Sequence, residues 1–393
     1  MQEVVILSGV RTPIGAFQGA LSGLTAPQLG SIAIDGALGK AGLAKDAVDE
    51  VIMGCVLTGG MGQAPARQAS LGAGVPNSVP CMTINKVCGS GMKAVMLAAQ
   101  AIQLGDSAFV VAGGMESMTN AGYFLDKARA GYRMGNGTLY DLMIHDGLWD
   151  PYHNVHMGNC GDKTSAEFGF IREQLDEFAG ESYRRAQSAQ AAGRFADEIV
   201  PVLIPQRKGD PIVVDSDEEP GKGNPDKLPG LRPAFDKDGV TTAGNASSIN
   251  DGAAALVVAS RAAAEAKGLT PIARVVGYAS HAQEPEWFTT APAFAVEKLL
   301  AKHGLSVGDI DLFEVNEAFA VVAMVVAQKA GIPHDKLNVN GGAVAIGHPI
   351  GMTGARLILT AIHELRRRGG RYAIATPCIG GGEATAVLIE VLS

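Results

Sequence analysis

The sequence has little charge, few aromatic rings and no paired cysteines. Charged residues make up 18% of the 393 residues and aromatic residues 5%, whereas apolar residues make up 47%. A charged fraction this low predicts extensive burial, an oligomer interface included. The net charge of −8 argues against a nucleic-acid-binding protein. The negative net charge does not exclude a local basic patch that binds an anionic ligand.

No apolar run reaches the length of a membrane span. The longest candidate, residues 318–327, is about half of what a bilayer requires, so we expect a buried helix there. The N-terminal stretch lacks the basic and apolar regions of a signal peptide. We therefore expect no membrane partner and a cytoplasmic location.

The five cysteines are widely spread and include no CxxC pair. An odd number without metal-ligand spacing favours reduced thiols in a reducing compartment. His153 and His156 flank no cysteine or acidic pattern typical of zinc, so the sequence predicts no metal site. Most of the cysteines are expected to be small buried residues. Cys88 and Cys378 are the exceptions.

Two parts of the chain resemble each other. Residues 42–54 align without a gap on residues 304–316 at an offset of 262, and Cys88 then matches His348 at an offset of 260. After each of the two comes a helical pattern, a glycine and a short apolar strand. This duplication predicts two βαβ-rich halves related by a pseudo-twofold axis, with their sheets around a shared helical layer.

The amino-acid composition changes between the two copies. Residues 119–249 carry aromatic residues and histidines, then a helical pattern, then a charged tract rich in proline and glycine. An insertion of this length is expected to cover the junction of the halves as a lid. We predict an N-terminal half at 1–118 completed by 250–269, an inserted domain at 119–249, and a C-terminal half at 270–393.

Cys88 and His348 each stand at the start of a helical pattern beside glycines. A thiol at a helix N-terminus is expected to have a lowered pKa, and a histidine beside it completes a nucleophile–base pair. The plainer alternative is a small core cysteine and an ordinary surface or core histidine. We favour catalysis because Gly89 and Gly91 permit a strained corner and the close approach of a ligand.

Cys378 and Asn316 each follow a strand of the second copy. The thiol of Cys378 suits proton transfer to and from carbon, and the following glycines can expose N–H groups as an oxyanion hole. Cys378 can equally be a core residue or a disulfide partner of Cys88. Asn316 either satisfies backbone groups or holds a water that stabilises a developing enolate.

The chain resembles the thiolases over essentially its whole length, and among them the short-chain acetyl-CoA C-acetyltransferases. The resemblance rests on the order and spacing of the segments 11–15, 88–92, 113–118, 244–247, 250–252, 316–319, 341–349 and 378–382. It implies an α/β thiolase fold with a five-layered αβαβα core. It also implies an inserted loop domain that binds coenzyme A.

The resemblance further implies a reversible Claisen condensation of two acetyl-CoA molecules, or its reverse, thiolysis. Cys88, activated by His348, would take the acetyl group, and Cys378 would carry the α-carbon proton. The N–H groups of Cys88 and Gly380 would form one oxyanion hole, and His348 with a water held by Asn316 the other. No cofactor is expected, since coenzyme A thioesters are the substrates.

A substrate-binding set also follows from the resemblance. The residues expected to line the pantetheine tunnel and acyl pocket are Leu148, His156, Met157, Phe235, Ala243, Ser247, Phe288, Ala318 and Phe319. Met157 is expected to narrow the pocket, as in short-chain enzymes. Phe288 matches the mitochondrial acetoacetyl-CoA thiolase, which also accepts a 2-methyl-branched substrate.

The chain departs from its family pattern in a few places. Related enzymes often have an arginine near residue 220 that meets the adenine end of coenzyme A, and here Lys222 is the candidate replacement. The segment from Glu383 to Thr385 replaces a common Met-Gly pattern. A possible potassium site of the mitochondrial enzyme is loosely matched by Tyr183 with carbonyls near Ala243, Ala246 and Val344.

Three alternative functions stay open. A degradative 3-ketoacyl-CoA thiolase of broader specificity uses the same residues. A ketoacyl synthase shares the fold but would lack Cys378, and a silent CoA- or lipid-binding protein would have a broken catalytic set. We expect a homo-oligomer, a tetramer rather than a dimer, with residues 121–140 either as a tetramerisation loop or as a solvated loop.

Overall fold

The structure is a computed structural model that describes residues 1–392. The helices are α1 (Ala26–Ala41), α2 (Pro65–Gly72), α3 (Ser90–Leu104), α4 (Met157–Phe168), α5 (Arg172–Ala191), α6 (Glu219–Lys222), α7 (Arg261–Ala266), α8 (Ala291–His303), α9 (Ala320–Ala330), α10 (Ala343–Ile346) and α11 (Ile350–Arg368). None of the helices formed by residues 1–392 combines the length and the apolar character needed to cross a bilayer.

The strands belong to one large sheet and three small hairpins. They are β1 (Val4–Arg11), β2 (Gly15–Ala16), β3 (Glu50–Gly54), β4 (Cys81–Ile84), β5 (Phe109–Ser117), β6 (Tyr123–Leu125), β7 (Leu139–Asp141), β8 (Trp149–Asp150), β9 (Val155–His156), β10 (Val202–Ile204), β11 (Ile212–Val214), β12 (Asn250–Ser260), β13 (Ala273–Ala282), β14 (Leu312–Val315), β15 (Tyr372–Thr376), β16 (Cys378–Ile379) and β17 (Glu383–Val391). Short 3₁₀ turns and one π-helical turn (Met143–Leu148) connect them.

The large sheet repeats the same strand order in each half of the chain. One half runs β4-β3-β5-β12-β1 and the other β14-β15-β17-β13. The place of β4 in the second half is taken by a single parallel bridge between Phe313 and Leu337. The two half-sheets are continuous, because β1 and β13 pair over two residues. The duplication read from the sequence is therefore a duplication of topology.

Five layers follow from the helix contacts, as the thiolase resemblance implies. Helices α1 and α2 cover the outer face of the first half-sheet, and α8 covers the outer face of the second with α9 beside it. Helices α3 and α11 pack against each other and against strands of both halves. The shared central layer is thus the α3–α11 pair. The apolar run at 318–327 forms α9, which is buried under α4, α5 and α8.

Glycines allow α3 and α11 to cross at close range. A Cβ at Gly91 would lie 2.9 Å from the backbone nitrogen of Ala355, and one at Gly354 would lie 2.5 Å from that of Met92. Any larger residue would push the helices apart, since such distances are below real van der Waals contacts. The crossing lies near the N-terminal ends of both helices, and so brings Cys88 and His348 to the same region.

The insertion leaves and rejoins the sheet at neighbouring positions. Ser117 ends β5, and its cross-strand partner Asp251 lies at the beginning of β12. Between them lie β6–β11 and α4–α6, and α5 packs on α9 and α10 of the second half. The matching corner of the second half, between β15 and β17, is a short loop that contains Cys378–Ile379.

Candidate active site

A cavity of about 240 Å³ lies where the two halves and the insertion meet. Cys88, His348 and Gly380 are in its wall. The predicted substrate-binding residues that line it are Leu148, His156, Met157, Phe235, Ser247, Phe288, Ala318 and Phe319. Aromatic packing shapes one side, where Phe235 stacks on His156 at 4.6 Å and meets Phe319 edge-on at 6.0 Å. The cavity is therefore mostly apolar with a few polar groups in its wall.

Cys88 lies in a strained turn immediately before α3. The residue before it, Val87, has a φ of 44°, in the left-handed region that β-branched residues rarely adopt. Asn85 Oδ1 accepts the Val87 N–H at 2.9 Å, and Ser90 Oγ accepts the Lys86 N–H at 2.8 Å. These side chains hold the turn in its strained form. The strain projects the sulfur into the cavity, as expected of a functional site.

Cys88 is half-buried in the cavity wall, and its thiol has two N–H donors. Burial raises its pKa to about 11, although hydrogen bonds from the N–H groups of Gly380 and of Cys88 itself favour the thiolate. The expectation of a lowered pKa at this helix start is therefore wrong, because desolvation outweighs the donors. Activation of this thiol requires a base. The same two N–H groups are those predicted to form an oxyanion hole.

His348 is oriented by Asn250 at the start of β12 and by Thr353 of α11. Its backbone N–H donates to Asn250 Oδ1 at 2.8 Å, and its Nδ1 lies 2.6 Å from Thr353 Oγ1. The Thr353 hydroxyl donates to the carbonyl of Pro349 at 2.9 Å. That hydroxyl must therefore accept from Nδ1–H, which leaves Nε2 free to take a proton. Burial, followed by the charge of Arg356, lowers the pKa of His348 to about 3 and keeps the imidazole neutral.

Asn316 connects the imidazole to the second cysteine. Its Nδ2 lies 3.4 Å from His348 Nε2, and its side chain also donates to the Cys378 thiol. The parallel strands β14 and β15 end side by side, with the Asn316 N–H bonded to the Thr376 carbonyl at 3.0 Å. Asn316 Oδ1 is buried without a protein partner. Such an atom suits a bound water, as predicted for this residue.

Cys378 is fully buried behind the cavity wall. Burial and then the neighbouring Cys88 raise the pKa of Cys378 well above its ordinary value, against donors that include the Ala318 N–H. The thiol is therefore protonated at rest, and its pKa is far from the unperturbed value that we assumed for proton transfer. All five cysteines are free, so Cys378 is not a disulfide partner of Cys88.

Two predicted binding residues lie outside the cavity wall. Ala243 is exposed, and Lys222 is an exposed residue of α6 that pairs with Glu218 at 3.7 Å. Tyr183 of α5 is buried, and burial together with the charges of Glu219 and Glu317 raises its pKa to about 12. No group of three histidine, cysteine or acidic side chains within residues 1–392 is arranged to hold a metal ion.

Glu116 was missed in the sequence. Its carboxylate accepts N–H groups of Val56 at 3.0 Å and Leu57 at 3.1 Å, and across the junction that of Gly351 at 2.9 Å. Burial raises its pKa to about 7 even though these donors lower it. A carboxylate inside the otherwise apolar strand β5 was the available signal. Asn250 and Thr353 orient His348; Asn250 lies in a segment that carries the thiolase resemblance, but nothing in the sequence indicated that either residue contacts the imidazole.

Family comparisons agree with this geometry. The sequence model of the family described as "Thiolase, N-terminal domain" matches residues 4–262, and that of "Thiolase, C-terminal domain" matches residues 269–391. The chain belongs to the thiolase family. The resemblance seen in the sequence is thereby confirmed, and a ketoacyl synthase is no longer a competing identification.

Individual thiolases match along the whole chain. An acetyl-CoA acetyltransferase of Allochromatium vinosum is 51% identical over 390 residues, which cover 99% of both proteins. One from Cupriavidus necator is 51% identical over 391 residues, or 99% of this chain and 100% of that protein.

Solved thiolase structures confirm the fold. The Acat5 thiolase of Ascaris suum in complex with coenzyme A has a TM-score of 0.94, 44% identity and full coverage of both chains. The acetyl-CoA acetyltransferase of Bacillus anthracis has a TM-score of 0.97 and 43% identity, and covers 100% of this chain and 99% of that one.

Proposed function

We propose that this thiolase is an acetyl-CoA C-acetyltransferase that interconverts two acetyl-CoA molecules with acetoacetyl-CoA and coenzyme A. The observation that carries the proposal is that Cys88 and His348 lie in the wall of a mostly apolar cavity, and that Asn316 joins His348 to Cys378 behind that wall. The names of the relatives described above support the same activity. An intact catalytic set argues against a silent binding protein.

In thiolysis the first half-reaction uses His348 as a base. Its Nε2 takes the proton of Cys88, whose thiolate attacks the 3-keto carbon of acetoacetyl-CoA. The N–H groups of Cys88 and Gly380 are positioned at the sulfur and donate hydrogen bonds to the developing oxyanion. The bond between the α-carbon and the keto carbon breaks, and the acetyl-CoA enolate takes the proton of Cys378. His348 with the water at Asn316 stabilises that enolate.

The second half-reaction restores the resting protonation of Cys88, His348 and Cys378. The thiol of coenzyme A gives its proton to the Cys378 thiolate and attacks the acetyl group on Cys88. The departing Cys88 thiolate is protonated by the His348 imidazolium. A thiol that is protonated at rest suits Cys378 as the acid of the first half-reaction. Condensation follows the same steps in reverse.

Two cysteine variants test this assignment. Mixed with acetoacetyl-CoA and coenzyme A, the purified protein should consume the enolate absorbance of acetoacetyl-CoA. Cys88→Ala should form no acetyl-enzyme by mass spectrometry. Cys378→Ala should still be acetylated by acetyl-CoA, more slowly because the departing coenzyme A thiolate lacks its proton donor, and should then stall before carbon–carbon exchange. Cys81→Ala on the edge strand β4 is the matched control and should keep full activity. Full turnover by Cys378→Ala would refute the role of that thiol.

The shape of the cavity supports short acyl chains over the broader range of a degradative thiolase. A Cβ at Gly380 would lie 3.4 Å from Met157 Cε, so Met157 closes the space beside the oxyanion donors. Phe288 is buried and packs near Phe319, with ring centroids 6.4 Å apart. Relative thiolysis of acetoacetyl-, 2-methylacetoacetyl- and longer 3-oxoacyl-CoA is the test. Equal rates on long chains would favour the degradative alternative.

We also propose that Lys222 meets the adenine end of coenzyme A and that a potassium ion binds near Tyr183. Support for the ion comes from Glu219 and Glu317, whose negative charges act on Tyr183. Rates in KCl and NaCl at equal ionic strength, for wild type and Tyr183→Phe, test the ion. The Km for coenzyme A of Lys222→Gln tests the lysine.

A cytoplasmic homotetramer is the proposed form of the protein. The hairpin of β6 and β7 exposes apolar side chains, with Tyr123 59% and Leu139 60% exposed. Exposed apolar groups on a hairpin favour an association surface. Sedimentation velocity of wild type and Leu139→Asp tests the tetramer, and cell fractionation tests the location.

A further inference from the structure

Glu383, the first residue of β17, forms an ion pair across the junction of the two halves. Its carboxylate binds the ammonium group of Lys86. Lys86 belongs to the turn that carries Cys88, and Glu383 is the cross-strand partner of Ile379, the residue after Cys378. The pair therefore joins the segment that carries one thiol to the segment that carries the other.

A second contact joins the same two segments. Ile379 packs against Gly89, where a Cβ would lie 2.3 Å from Ile379 Cδ1. Between these contacts, the Gly380 N–H donates to the Cys88 thiol. In both segments, the hydrogen-bonded residue (Cys88 or Gly380) therefore lies between the residue of the ion pair and the residue of the apolar contact. The backbone of Lys86 is itself fixed, since its N–H donates to Ser90 Oγ at 2.8 Å.

We propose that Lys86 and Glu383 are positioning residues that hold the Gly380 N–H against the sulfur of Cys88. Neither side chain lines the cavity, so they act through the two loops and not on the substrate. The inference rests on the acetyl transfer proposed above, because the N–H that they position is an oxyanion donor. Their removal loosens a donor whose placement matters most in the transition state.

The exposure of the pair sets the size of the effect. The side chains of Lys86 and Glu383 are 24% and 37% exposed, so solvent screens their attraction. Another cation lies nearby, since burial and then the charge of Lys86 lower the pKa of Lys93. We expect loss of the pair to slow acetylation of Cys88 by about two- to fivefold, with little change in thermal stability.

The test compares single, reversed and control variants of the full-length protein. The variants are Glu383→Gln, Lys86→Met and the double charge reversal Lys86→Glu with Glu383→Lys. Glu3→Gln is the matched control, because the Arg261–Glu3 pair is 32% and 39% exposed and lies outside the cavity. Rapid-quench mass spectrometry gives the acetylation rate constant with acetyl-CoA. Steady-state kcat and Km and the melting temperature complete the comparison.

If the pair positions the Gly380 N–H, both single variants should have a lower acetylation rate constant and kcat with an unchanged Km. The charge-reversed double variant should recover part of this loss, and Glu3→Gln should match wild type. Single variants as fast as wild type would overturn the positioning role. A loss that charge reversal does not recover would also overturn it, since the effect would then belong to the separate side chains. A wild-type protein that forms no acetyl-enzyme would overturn the proposed function and this inference with it.

Discussion

The hydroxyl of Thr353 decides which nitrogen of His348 carries the proton. Thr353→Val removes the acceptor that lies 2.6 Å from Nδ1 and keeps nearly the same volume. The buried Nδ1–H then has no partner, whereas a proton on Nε2 could meet the cavity. We therefore expect the variant to shift to the tautomer that cannot accept the proton of Cys88.

The size of the loss follows from the burial of the pair. Thr353 is 1% exposed and His348 5%, so water is a poor substitute for the missing hydroxyl. Leaving a buried donor without a partner costs about 1–3 kcal/mol. If that cost falls on the active tautomer alone, acetylation of Cys88 slows by about 5- to 150-fold. Thr353→Ser keeps the hydroxyl and should retain most of the rate.

The assay is the single-turnover rate of Cys88 acetylation by acetyl-CoA. Thr360→Val is the matched control, because Thr360 is a buried threonine of the same helix whose Oγ1 contacts Glu198 at 3.3 Å. Both valine variants lose a buried hydrogen bond, but only one loss lies at the imidazole. Equal rates for Thr353→Val and Thr360→Val would refute the tautomer argument.

Three further predictions concern the same junction. Burial raises the pKa of Cys88 to about 11, so the rate of its alkylation by iodoacetamide, measured by peptide mass spectrometry, should still increase above pH 8. An alkylation rate that levels off below pH 7 would contradict this. Burial raises the pKa of Glu116 from 4.5 to about 7, so between these pH values Glu116 is protonated in the folded protein and ionised in the unfolded chain. The contribution of Glu116 to the unfolding free energy should therefore fall by up to about 3 kcal/mol as pH rises from about 4.5 to above 7. In urea unfolding, the stability of Glu116→Gln relative to wild type should increase from pH 5 to pH 7.5, and parallel pH profiles would speak against a raised pKa. Gly89→Ala should slow acetylation because its Cβ would lie 2.3 Å from Ile379 Cδ1; adding Ile379→Ala should recover part of the rate, and a double variant no faster than the single one would show that the contact is not the cause.

The internal duplication made most of the fold predictable. Glycines at helix ends and short apolar strands recur at nearly constant offset, and each recurrence corresponds to a matched element, such as β3 with β14 and α3 with α11. Local periodicity did not show which helix occupies the shared layer or that β1 pairs with β13. Those features depend on long-range packing at glycines such as Gly91 and Gly354.

The side chains that we propose for catalysis could be singled out in the sequence because their types and glycine-rich surroundings are unusual. Their electrostatics could not be predicted. The pKa of Cys88 depends on how completely the insertion and both halves exclude water, and no local pattern contains that information. The partners of His348 could not be predicted because their contacts depend on the tertiary structure. Asn250 lies on β12, which is distant in sequence, and Thr353 is one of several threonines on α11.

The attachment of the insertion has a consequence for how substrate preference can change. Ser117 and Asp251 face each other in register, so the two ends of the inserted segment join the sheet at one pair of neighbouring residues. The inserted segment also contacts the core, since Ile199 bridges Arg11 of β1 and α5 packs on α9 and α10. Substitutions at its cavity-lining positions away from these contacts, such as Leu148 and Met157, can therefore reshape the acyl pocket without moving the segments that carry Cys88, His348 and Cys378.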